Sequence, residues 1–281
     1  MNVAAVLFRT APDLEGIYAR LTQLSGLGEV ALLKEYVRVD SPVGVVHVQA
    51  FNAQWPDEDP ESLAELGGVA AGLHPGALMR AGDQNAVWKP AELCVRVHRS
   101  FVHLAVVEAT GSPVAQTEEL ERLSMAFLAD PEGLCAFFPA GEALRDGHIM
   151  GQIRGSAEDQ EALPMQNWIN GRLADAGMGT HVADLVGLRQ IGQPDAEAVF
   201  PSDLKDVSPY EVLGFLFDVA HHLAREGGAL EDGVIYEGPG GLRWRAGLEA
   251  DAQITPARKV TRWIPLSPAQ AAGTGAEAPP S

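Results

Sequence analysis

The sequence predicts an α+β fold, with largely antiparallel sheets and helices packed on one face, built from two α/β units of related size. Three observations predict it. Short apolar runs rich in β-branched residues alternate irregularly with stretches of helical period. Turn chemistry at Asp40-Ser41-Pro42 joins two such runs into a hairpin. No segment repeats at a fixed period, so a solenoid or propeller is not expected.

The elements follow in order. Residues 3–8 read as a buried strand. Thr10-Ala11-Pro12-Asp13 reads as a helix start with Thr10 as its cap, and Leu14, Ile17, Tyr18, Leu21 and Leu24 share one helical face. Residues 30–39 and 43–51 are the hairpin strands. A weak helix from about Glu61 sits inside a long connection loaded with Gly and Ala. Pro90 at a first helical position starts a short helix. Residues 101–109 form an apolar strand, and Thr117 caps a helix carrying Leu120, Leu123, Phe127 and Leu128. Residues 133–139 form another strand. Between residues 141 and 166 the periodicity lapses, which predicts a loop. Strand character resumes at 168–173 and 180–191. Ser208-Pro209-Tyr210-Glu211 is a capping box opening a helix to about Arg225, whose apolar stripe is too wide to be left in water. Leu242, Trp244, Ala246 and Leu248 alternate with Arg243 and Arg245, a half-buried strand with arginines on its wet face. The expected division is an N-terminal unit over 1–150, a C-terminal unit over 151–266 packed on it as one body, and a disordered tail over 267–281.

Composition narrows the function. The chain of 281 residues is 46% hydrophobic, enough for a full core. Its net charge is −18, from 38 acids against 20 bases, a balance that repels nucleic acid and an anionic membrane surface. The apolar start is too short for an export signal and has no basic flank, so a cytoplasmic protein is expected. With two cysteines, Cys94 and Cys135, neither a disulfide scaffold nor a four-cysteine zinc site is expected.

The common catalytic signatures are absent: there is no phosphate-binding loop, no H-E-x-x-H, no G-x-S-x-G and no C-x-x-C. Cys94 precedes His98 by one helical turn, a spacing that suits thiolate activation but is commoner in plain packing. His221 and His222 point about 100° apart on a helix, so a shared metal is disfavoured, and Asp218 sits four residues from His222. Asp195 and Glu197, two apart on an extended chain, point the same way and form the most credible pair of functional acids, with a structural turn at Pro194 as the rival reading. Arg243, Arg245, Arg258, Lys259 and Arg262 make the C-terminal region locally basic, which internal pairing with acids explains best.

The stretch Gly187-Leu188-Arg189-Gln190-Ile191-Gly192-Gln193-Pro194-Asp195-Ala196-Glu197 resembles a segment of a bacterial family known as domain of unknown function 4261. The resemblance continues through the helix at 210–225, the turn Asp232-Gly233-Val234-Ile235 and the strand at 242–248. It reaches back to Trp88-Lys89-Pro90 and the strand at 101–107, spanning about residues 3–266, and is most specific from Gly187 to Ile235. The Gly-rich stretch at 66–82 departs from the family pattern. The family implies a fold unit and carries no activity or catalytic residues to this chain.

These readings converge on a non-catalytic interaction protein, immunity-like or adaptor-like, that offers an acidic surface to a basic protein partner, with no cofactor and no metal. The expected contact residues are Asp57, Glu58, Asp59, Glu61, Glu118, Glu119 and Glu121. The alternative is a metal-assisted hydrolase using Asp195 and Glu197 with a nearby histidine.

Overall fold

Strand β1 (Val3–Phe8) is buried at every residue. Apolar side chains on both faces of a strand require cover on both faces of its sheet. The computed structural model, which describes residues 1–204 and 207–267, supplies both. Helix α1 (Leu14–Leu21) follows, capped by Asp13, which accepts from the Gly16 N–H at 2.8 Å. Strands β2 (Val30–Leu32), β3 (Val37–Ser41) and β4 (Gly44–Phe51) form an antiparallel meander. Gly44 has φ 123°, and a Cβ there would lie 1.9 Å from the Glu108 carbonyl oxygen, so the turn admits glycine alone.

The Gly- and Ala-rich connection folds into three short helices: α2 (Pro60–Glu65), α3 (Ala77–Asp83) and α4 (Ala91–Val97). Strand β5 (Ser100–Ala109) pairs with both β4 and β1. Helix α5 (Pro113–Leu128), strand β6 (Gly133–Phe138), strand β7 (Ala143–Arg145) and helix α6 (Gly147–Asp159) complete the first unit, Met1–Asn170. Its seven strands run in the order β2-β3-β4-β5-β1-β6-β7. Val3, Ala5, Leu7, Phe101 and Phe137 join the apolar residues of α2, α3 and α4 in one core. Helices α1 and α5 pack against the same sheet, and α5 buries Leu120, Leu123 and Phe127. Helices thus cover both faces of this sheet, while the second unit carries its helix on one.

The second unit begins at Gly171. It contains β8 (Asn170–Gly177), β9 (Thr180–Val186), β10 (Asp195–Pro201), α7 (Pro209–Glu226), β11 (Ile235–Gly238), β12 (Leu242–Asp251) and β13 (Lys259–Pro265). The sheet order is β11-β12-β13-β10-β9-β8. Among the described residues, β10 and β13 form the one parallel pair. Helix α7 has the expected capping box between Ser208 and Glu211, and Gly227 closes it in the left-handed conformation. It buries Val212, Phe215, Leu216, Val219, Ala220 and Leu223 on the sheet, and each of these except the small Ala220 contributes about 2 kcal/mol relative to exposure. The α+β class with mostly antiparallel sheets is therefore as the sequence predicts.

Several local expectations need correction. Asp13, not Thr10, caps α1, because its carboxylate reaches a free amide of the first turn. Ser112, not Thr117, caps α5; Thr117 lies inside the helix, its hydroxyl donating to the Pro113 carbonyl at 3.0 Å. Residues 141–166 are not a loop but contain β7 and α6. Helix α6 escaped notice because only Met150 and Ala157 of its residues are buried. A boundary at 150/151 would cut through α6, and the contacts place it after Asn170. Of the expected tail, only Ser267 belongs to the described residues. Among them, no helix is long and apolar enough to cross a membrane.

Candidate functional site

Asp195 and Glu197 stand together on β10, and the register sets Glu197 opposite Asp184 of β9. Like charges facing across strands repel, and all three acids are at most 3% exposed. The sequence resolves this with arginines. Asp184 pairs with Arg172 of β8 and with Arg258, in the approach to β13. Asp195 Oδ2 accepts from Arg258 Nε at 2.7 Å, and its Oδ1 accepts from the Gly187 and Leu188 N–H groups at 2.9 and 2.8 Å. Glu197 Oε1 accepts from Arg262 Nε and Nη2 at 3.0 and 2.9 Å, and Oε2 from the Gln253 N–H at 2.7 Å. Burial pushes the Asp195 carboxyl above the usual range, and Arg258 opposes that shift.

Three acids meet three arginines, so the network is neutral. Every oxygen of Asp195 and Glu197 holds a backbone N–H or a guanidinium. These acids fix the turn after β9 and the approach to β13, the structural role that Pro194 had offered as the rival reading. Among the described residues, no group of three or more His, Cys, Asp or Glu side chains is placed to hold a metal ion. His98 accepts from the Trp55 N–H at 3.0 Å and donates to the Val95 carbonyl, so its ring is engaged and does not serve Cys94.

The acids expected at a partner surface are scattered in role. Asp57 accepts from the Leu78 and Met79 N–H groups at 2.7 and 3.0 Å, tethering the start of α3, and burial raises its pKa. Asp59 caps α2. Glu119 is 7% exposed and forks onto Arg122, with bonds of 2.8 and 2.7 Å. Glu121 is fully buried: it accepts from Arg154 at 2.9 Å, from Asn167 at 3.0 Å and from the Trp168 indole. Neither Glu119 nor Glu121 fits a surface contact role, because α5 turns both toward internal partners. Glu118 is half-buried; Glu58 and Glu61 are exposed.

A different set of acids lines a cleft of about 400 Å³ between α7 and the end of β11. Glu211, Phe215, Asp218 and Val219 come from successive turns of α7, and Glu237, Gly238, Pro239 and Gly241 form the opposite wall. Phe215 is fixed by Trp244 and Trp263, with ring centroids at 5.8 and 5.3 Å. Gly238 lets the walls approach, since a Cβ there would lie 2.7 Å from Trp244 Cδ1. Partial burial raises the Asp218 pKa, and His221 opposes the shift. Glu211 Oε2 accepts from the Ser208 N–H at 2.8 Å, which orients its carboxylate at the rim. Sequence reading reached Glu211 only as a cap and Asp218 only beside His222. Glu237 gave no signal, because a hairpin far along the chain brings it to α7.

Residues 184–264 match the family model described as Domain of unknown function (DUF4261). The match agrees with the resemblance carried by Gly187 to Ile235 and runs from Asp184 of the buried network through β13, enclosing the whole cleft. No curated protein and no solved structure matches the chain.

Proposed function

We propose that the protein acts by binding, without catalysis of its own, and that the α7 cleft receives a lysine- or arginine-bearing segment of a basic protein partner. The observation that carries this reading is the pairing of an aromatic floor with an acidic rim. Phe215 lines the cleft together with Glu211, Asp218 and Glu237. An arginine or lysine places its apolar stem against such a floor and its charge among the carboxylates. The net charge of −18 adds long-range attraction for a basic partner. An immunity-like or adaptor-like role in the cytoplasm suits that chemistry. The hydrolytic alternative gains no support, because Asp195 and Glu197 are fully engaged by arginines and backbone amides.

The test is a pull-down from the native host at low and at high salt, using the wild-type protein and the Asp218→Asn/Glu237→Gln variant. The reading expects a basic protein retained by the wild type at low salt, released at high salt, and lost in the variant. Equal capture by both proteins would place the contact elsewhere.

A further inference from the structure

The two cysteines, far apart in sequence, meet in the core of the first unit. Cys135 lies on β6, fully buried against β1, and Cys94 on the short helix α4 packs against the same apolar cluster. Each thiol is the other's side-chain hydrogen-bonding partner. The two differ in access: Cys94 is half-buried on a helix whose neighbouring Leu93 is 61% exposed, while Cys135 is sealed. Small oxidants therefore reach one sulfur and not the other.

We propose that Cys94 and Cys135 form a redox-active pair that closes to an intramolecular disulfide with hydrogen peroxide as oxidant. The Cys94 thiolate attacks one peroxide oxygen; the O–O bond breaks, hydroxide leaves, and Cys94 becomes a sulfenic acid. The Cys135 thiol then loses its proton, its sulfur attacks Cys94, and the S–O bond breaks to release water. Overall two thiols and one peroxide give one disulfide and two waters. The roles follow access first: the half-buried Cys94 meets peroxide, and the sealed Cys135 resolves. The electrostatics agree, since hydrogen bonding with Cys135, helped by Arg9, lowers the Cys94 pKa against burial and Asp146, whereas burial holds the Cys135 thiol well above the ordinary value. The new bond would tie α4 to β6, locking the helical cover onto the sheet.

The experiment treats the full-length protein with hydrogen peroxide, alkylates it under denaturing conditions and measures intact and peptide masses. The expected result is a monomer about 2 Da lighter, a peptide linking residues 94 and 135, and reversal by dithiothreitol. In Cys135→Ala the reaction should stop at a Cys94 sulfenic acid trapped by dimedone. In Cys94→Ser, Cys135 should stay reduced at the same dose. Two alkylated thiols in the treated wild type, crosslinks only between molecules, or a Cys94 that passes to sulfinic acid without bridging would each overturn the proposal. The wild-type masses decide the matter even if Cys135→Ala fails to fold.

Discussion

Glu121 and His103 show two ways in which the first unit holds a titratable side chain in its core. Glu121 is raised in pKa by burial, and the donors around it, Arg154, Trp168 and Asn167, oppose that shift. Glu121→Ala would leave these donors facing a cavity, and should lower unfolding free energy by about 3 kcal/mol in urea titration. His103 lies on β5 with Nε2 unpartnered among the described residues, and burial lowers its pKa to about 4. The unfolded chain protonates near pH 6.5, so between these values it binds a proton that the folded chain refuses. Stability therefore falls as pH drops from 6.5 toward 4, by up to about 1.4 kcal/mol per pH unit from this group. His98, whose pKa is also lowered mainly by burial, acts in the same direction. His103→Gln should flatten the urea-measured profile over that window, and an unchanged slope would count against a buried neutral His103. Sequence alone placed Glu121 in a surface acid run, because four-residue charge density carries no sign of which helical face meets Asn167 and Trp168.

At the scale of elements, legibility followed the strength of local chemistry. Ser208-Pro209 with Glu211 announces α7 because cap, first-turn proline and returning carboxylate act within four residues. The apolar runs of β1 and β5 are equally plain. Helix α6 was not legible: it carries few buried residues, and its cap Asp146 follows a strand only three residues long. The paired direction of Asp195 and Glu197 was legible from extended geometry, but their partners were not. Arg172 and Arg258 arrive through sheet pairing and a long return that no spacing encodes. The cleft was hidden for the same reason, since β11 and α7 meet only after the sheet forms. Gly238→Ala would drive a methyl against Trp244 and Phe215, costing about 1–3 kcal/mol and crowding the cleft. Thermal unfolding should detect the cost; a variant as stable as wild type would show that the wall yields freely.

For the whole molecule, the charge is sorted rather than merely large. Arginines sit opposite the buried acids: Arg80 on Glu142, Arg154 on Glu121, and Arg172, Arg258 and Arg262 in the second unit. These arginines are thereby engaged by buried acids, while carboxylates such as Glu58, Glu61 and Glu237 stay exposed. On the proposed reading, such a surface attracts basic partners over a Debye length, and the cleft, with an aromatic floor that plain surface acids lack, gives that attraction an address. The direct test is a calorimetric titration with a peptide of alternating arginine and glycine, at low and at high salt. It compares the wild type with Asp218→Asn/Glu237→Gln and with Glu58→Gln/Glu61→Gln, which removes equal charge away from the cleft. The account predicts salt-sensitive binding that weakens roughly tenfold in the cleft variant, about 1.4 kcal/mol, and stays near wild type in the other. Equal weakening in both variants, or no binding by the wild type at low salt, would contradict it.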